Sequence, residues 1–192
     1  MVKRLIVGVS GASGAPLAVE LLRQLHDRCQ DVETHLIVSR GGEMTLKQET
    51  GMALDELKAL ATVCHDNSNI GASVASGSFR TMGMIVVPCS MKTMAGIVSG
   101  YSDNLLLRAA DVCLKERRKL VLVARESPFS TVHLRNLYKA SQLGAIIQPP
   151  MLTYYNHPTS IDDCTRHTVT RILSQFDLDE GSCQWEGMDE TV

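Results

Sequence analysis

The sequence has 192 residues, close to one domain at roughly 100–200 residues per domain, and 44% of them are hydrophobic. That composition supplies a sizeable core and excludes a disordered chain. Lys and Arg total 19 against 21 Asp and Glu, and the net charge of -2 gives no basic footprint for nucleic acid or an anionic membrane surface.

Lys3 to Val9 is a short β-branched run, read as a buried first strand; its apolar part is too short for a signal peptide. No apolar run approaches the ~20 residues of a membrane span. Ser10-Gly-Ala-Ser-Gly-Ala15 leads into a helix with Leu17, Val19, Leu21, Leu22 and Leu25 on its apolar side. Val32 to Val38 predicts a second strand ending at Ser39-Arg40, and Met44 to Ala61 is helical material broken at Thr50-Gly51. Residues 64–82, rich in Ser, Asn and Gly, read mostly as loop. Met84 to Val87 is a strand closed by Pro88-Cys89-Ser90, with helices following at Thr93–Val98 and Leu105–Glu116. Leu120 to Ala124 is a strand ending at Arg125-Glu126. A helix at Thr131–Leu143, a short strand at Ala145–Ile147 and a last helix at Ile161–Phe176 complete the series.

Strands that alternate with helices, and that are apolar nearly throughout, predict a Rossmann-like α/β fold. Its doubly wound parallel sheet carries helices on both faces in a single domain. Such sheets bind ligands beyond the carboxyl ends of their strands. The folded body is expected over 1–178. The tail at 179–192 holds five acids and no base, reads as solvated, and carries the only Trp, Trp185.

Gly8-Val-Ser-Gly11-Ala-Ser-Gly14 joins the first strand to the first helix. Glycines permit close approach, the helix start offers unpaired N–H groups to a phosphate, and Ser10 and Ser13 add hydroxyls. The spacing is neither G-x-G-x-x-G nor a P-loop. Ser39-Arg40 lacks the acid that holds the ribose diol of NAD, which favours a mononucleotide, although Arg40 could meet the extra phosphate of NADP. Pro88-Cys89-Ser90-Met91-Lys92-Thr93 places two hydroxyls and a cation at a helix start, a second anion cradle. Cys89 reads as a buried thiol. The six cysteines form no C-x-x-C pair, as expected of reduced thiols in the cytoplasm, and the histidines show no metal-ligand spacing. Arg108 and Lys115, seven apart, share a helix face, and Arg125 follows a strand where ligands bind.

Together R-L-I-V-G-V-S-G-A-S-G-A at the start, Pro88 to Thr93, Leu107 to Asp111, Lys115 to Arg118, Arg125-Glu-Ser-Pro128 and Pro149-Pro150 before Tyr155 resemble the UbiX-type flavin prenyltransferases. The resemblance runs in order over about 1–178 of the chain. It implies an FMN-binding homo-oligomer, usually a dodecamer, without a metal. Such an enzyme joins the dimethylallyl group of dimethylallyl phosphate to N5 and C6 of reduced FMN, and its product serves a UbiD-type decarboxylase of aromatic acids. Carried over by position, Gly11, Ala12 and Ser13 hold the flavin phosphate end. Ser39, Ser90, Met91, Lys92, Thr93 and Arg125 hold the rest of the flavin. Glu49, Ser13 and Glu126 serve the chemistry, and Tyr155, Arg171, Arg108 and Lys115 bind the donor phosphate. Two rivals remain at this point. One is an FMN-dependent decarboxylase of the cysteine-decarboxylase type, whose P-x-M-N-x-x-M-W segment is absent. The other is a non-enzymatic flavin-binding subunit.

Overall fold

The computed structural model describes residues 2–179 and 187; Trp185 and most of the acidic tail lie outside them. Six parallel strands form one sheet in the order β3-β2-β1-β4-β5-β6. They are β1 (Lys3–Val9), β2 (Val32–Val38), β3 (Val63–His65), β4 (Gly83–Cys89), β5 (Lys119–Ala124) and β6 (Ile146–Ile147). The order reverses direction between β1 and β4, so the crevice of a doubly wound sheet opens beyond Val9 and Cys89.

Alternate residues of the central strands feed two cores. Leu5, Val7 and Val9 of β1 face α1 (Ala15–Arg28) and α7 (Ile161–Leu173), where Leu21, Leu22, Leu25, Val169, Ile172 and Leu173 are buried. Ile6, Met84 and Val86 face α4 (Met91–Ser99) and α5 (Leu105–Lys115), with α6 (Thr131–Gln142) beside α4. Each fully buried leucine of these layers stabilises the fold by about 1.5–3 kcal/mol.

Three departures from the sequence reading bear on the site. Helix α2 (Arg40–Thr50) starts directly at its Ser39 cap, and the glycines at 41 and 42, poor helix formers, hide that start. The strand read as closing at Pro88 runs on to Cys89, with the β4–β5 register shifting between Val86 and Cys89; such an irregularity tolerates a proline. Residues 64–82, read as loop, contribute β3 at the sheet edge and a 3-10 turn at Ser73–Ala75. A short helix, α3 (Leu54–Lys58), follows the break after Gly51.

Candidate functional site

The loop after β1 is fastened to the loop after β4 by Ser10. Its hydroxyl donates to the Pro88 carbonyl at 2.8 Å and accepts from the Ser90 N–H at 2.8 Å, while the residue is 1% exposed. Ser10 therefore has no hydroxyl to spare for a ligand, which corrects the expectation that it joins Ser13 as a phosphate donor. It sets the spacing of the two crevice walls instead.

Helix α2 enters the same crevice through contacts only glycine allows. A Cβ on Gly42 would lie 2.6 Å from the Val9 carbonyl oxygen, and one on Gly11 would lie 2.8 Å from Gly41 Cα. The Ser39 hydroxyl accepts from the Gly42 N–H at 3.1 Å and caps the helix. At the other end Gly51 stops it in the left-handed conformation, φ 69°. Two residues before that stop, Glu49 reaches across to α1. Its Oε2 accepts from the Gly14 N–H at 2.9 Å and the Ala15 N–H at 2.8 Å.

Helix α1 has no side-chain cap of its own at Gly14, so Glu49 supplies it. Burial pushes the Glu49 carboxyl up, but the bonds from Gly14, Ser13 and Ala15 and the charge of Arg125 outweigh it, and the acid sits below the ordinary glutamate range. The positive end of α1, expected to receive a phosphate, is thus met by the protein's own carboxylate. A phosphate bound at Gly11, Ala12 and Ser13 must use groups other than the Gly14 and Ala15 N–H.

Across the crevice Ser90 caps α4, accepting from the Thr93 N–H at 3.2 Å and donating to the Thr93 hydroxyl at 3.1 Å. The first-turn N–H groups of Met91 and Lys92 have no carbonyl one turn back to bond, and the Lys92 side chain is exposed. Cys89 is fully buried and its thiol is pushed up to about 12 by burial, so it is no nucleophile. Arg125, leaving β5, is exposed at its side chain while its N–H donates to the Cys89 carbonyl at 3.1 Å. Glu126 is half-buried and accepts from the Ser127 N–H at 3.0 Å.

The fold therefore brings together Ser13, Glu49 and Arg125, with Ser39 on one side and the Ser90–Thr93 turn on the other. The remaining four residues have partners of their own. Arg108 donates to the Ala75 carbonyl at 3.2 Å and pairs with Asp111 at 2.8 Å. Lys115 pairs with Glu116 at 2.6 Å at the far end of α5, beside the start of β5 and so at the opposite edge of the sheet. Tyr155 is 61% exposed and shares a 3.2 Å hydrogen bond with His167. Arg171, in the last turn of α7, donates to the Ser174 hydroxyl at 2.6 Å. Helix α7 lies beside α1 and ends near the start of β5, where Lys119 sits 5.2 Å from the Phe176 ring centre.

Sequence reasoning missed two groups. Gln148, just after β6, keeps its carboxamide oxygen buried without a partner among the described residues, and nothing in its sequence context marks it. His167 is half-buried on α7, and its contact with Tyr155 spans twelve residues. Two hydroxyl-capped helix starts, the cations Lys92 and Arg125 and a carboxylate held ionised fit a flat, anionic ligand that carries a phosphate and exchanges protons at its ring. FMN is such a ligand. Among the described residues no group of three or more His, Cys, Asp or Glu is placed to hold a metal ion.

Comparison with known proteins gives consistent results. The family model described as Flavoprotein matches residues 2–173. A Flavin prenyltransferase UbiX of Neisseria meningitidis is 50% identical, covering 98% of this chain and 99% of that protein. AnUbiX (PadA1), solved in complex with FMN and dimethylallyl pyrophosphate, superposes with a TM-score of 0.94 at 47% identity, over 98% of this chain and 100% of that one. A dodecameric FMN-dependent UbiX-like decarboxylase from Escherichia coli O157:H7 gives 0.92 at 50% identity, over 96% and 100%.

Proposed function

The chain belongs to the flavoprotein family and, within it, to the UbiX-type flavin prenyltransferases, and from that premise we propose how its own residues carry the reaction. The protein is a transferase that prenylates FMN. Reduced FMN supplies electron-rich ring atoms, N5 and C6, to which the dimethylallyl group of dimethylallyl phosphate is joined.

Gly11, Ala12 and Ser13 line the phosphate end of the flavin, and Ser39, Ser90, Met91, Lys92, Thr93 and Arg125 hold its remainder. Glu49 is the proton acceptor. Its carboxylate is kept charged by the α1 amino end and by Ser13, and it faces the side of the crevice that Arg125 approaches. Glu126 supports the same ring region.

An allylic phosphate departs only when its growing charge is met by fixed cations and hydroxyls. Arg171 and Tyr155, with Arg108 and Lys115, have that chemistry, Arg by two-pronged contact. Lys115 and Arg171 lie near the start of β5, at the end of the sheet away from the crevice, so they act on the crevice of a neighbouring copy. The protein is a homo-oligomer of the dodecameric kind, which supplies such neighbours. A closed site between copies also keeps water from the allyl cation. The prenylated flavin passes to a UbiD-type decarboxylase in the cytoplasm. Among the described residues no helix is long and apolar enough to cross a membrane.

The observation that carries the assignment of roles is the Glu49 carboxylate, fixed by Ser13, Gly14 and Ala15 beside Arg125 at the switch point of the sheet. Incubating the protein with reduced FMN and dimethylallyl phosphate should give a flavin heavier by one dimethylallyl unit with an altered absorption spectrum. An unchanged flavin beside intact donor would overturn the reading and leave a flavin-storing subunit.

A further inference from the structure

We propose that His167 is a positioning residue for the prenyl donor, acting through Tyr155. The proposal rests on the reading above that Tyr155 and Arg171 meet the donor phosphate. Residues 148–160 form neither helix nor strand, and Tyr155 lies in a turn closed by the His157 N–H on the Tyr154 carbonyl at 3.0 Å. The Tyr155 side chain on this turn is 61% exposed.

His167 restrains it twice. The phenol oxygen lies 3.2 Å from His167 Nε2, and the two rings pack edge to face with centres 5.7 Å apart and planes at 81°. His167 is half-buried on α7, so its ring moves less than the loop that it grips. Arg171 lies four residues further along the same helix and therefore on the same stripe. The contact thus ties the phenol to α7, the helix that carries Arg171 one turn further on.

Steady-state prenylation by the FMN-loaded enzyme tests this. Losing one hydrogen bond of this kind should raise KM for dimethylallyl phosphate roughly tenfold in His167→Ala. The kcat, the FMN content and the melting temperature should stay near wild type. His167→Gln, which keeps an N–H at similar reach, should recover most of the loss. In a Tyr155→Phe background, His167→Ala should add nothing. A wild-type KM in His167→Ala, equal losses in the Ala and Gln variants, or a full additional loss in the Tyr155→Phe background would each overturn the role of His167. A wild-type KM in Tyr155→Phe itself would remove Tyr155 from the donor site, and the positioning role with it.

Discussion

Glu49 caps a helix other than its own: its carboxylate oxygen lies 2.8 Å from the backbone nitrogen of Ala15, at the start of α1, while its backbone belongs to the last turn of α2. The contact joins two functions. It satisfies the orphan N–H groups of α1, and it holds a charged carboxylate where the sheet changes winding direction. Since Ser13 and Arg125 also lower the pKa of Glu49, the group enters the reaction ionised, as a base rather than as an acid.

Replacing Glu49 by Gln keeps an oxygen for the two N–H groups but removes the charge. Prenylation should fall by a factor on the order of 100 or more, the usual worth of a placed acid–base group. FMN binding should change little. The folded pKa of Glu49 lies below its unfolded value of about 4.3, so its ionised form persists above that value and is lost only as pH falls through the folded one. The acid limb of the wild-type pH–rate profile should therefore lie below about 4.3. An acid limb near neutrality, or a Gln variant with wild-type single-turnover rate, would assign the proton to another group.

Gly42 is predicted to be intolerant of any side chain. The Cβ of alanine would meet the Val9 carbonyl oxygen at 2.6 Å, and that atom belongs to strand backbone that cannot swing away. Gly42→Ala should lower stability by about 1–3 kcal/mol, as overpacking does, and weaken FMN binding by moving Ser39. A urea melt with flavin fluorescence measures both; an unshifted midpoint would mean that α2 slides without cost.

His35 and His65 predict a pH-dependent stability. His35 is 2% exposed, its Nε2 lies 3.0 Å from Glu33 Oε1, and its Nδ1 lies 2.9 Å from His65 Nε2. Burial lowers the pKa of His35 more than Glu33 raises it, and burial followed by His35 lowers that of His65. Below the unfolded value of about 6.5 the unfolded chain binds more protons than the folded one, so stability present above that pH is lost as pH falls toward the folded values. The urea midpoint should drop between pH 7.5 and 5.5, and less so in His65→Gln. Equal midpoints in the wild-type protein would sink the prediction.

The sheet and its crevice were legible because buried parallel strands are apolar throughout and their ends carry the Gly- and Ser-rich turns. Edge strand β3 was not: Val63-Cys64-His65 is only three residues long and precedes a polar segment, so no periodicity marks it. Spacing along a helix correctly put Arg108 and Lys115 on one element, yet it could not say which edge of the sheet each approaches. Ser10 and Ser13 look equivalent in sequence. Only the cross-strand bonds to Pro88 and Ser90 show that one is structural, and the contact of Ser13 with Glu49 spans 36 positions that local pattern does not connect.

Arg171 separates the two ligands. It is exposed, its guanidinium donates to the Ser174 hydroxyl, and no carboxylate pairs with it among the described residues, so its charge is available to a phosphate. It takes no part in either flavin cradle or in the buried layer of α7, where Val169, Ile172 and Leu173 point inward. Arg171→Ala should therefore retain FMN and the quaternary structure. It should lose most prenylation, and the defect should be largest at low dimethylallyl phosphate. Truncating a desolvated charge contact commonly costs about 2–5 kcal/mol, a loss of roughly thirtyfold to several thousandfold in kcat/KM for the donor. Donor titrations on the FMN-loaded variant, with size-exclusion chromatography on the same sample, read both quantities. Wild-type turnover at sub-saturating donor would remove Arg171 from the site. Loss of FMN together with turnover would assign it to the flavin, and a smaller particle would assign it to the contact between copies.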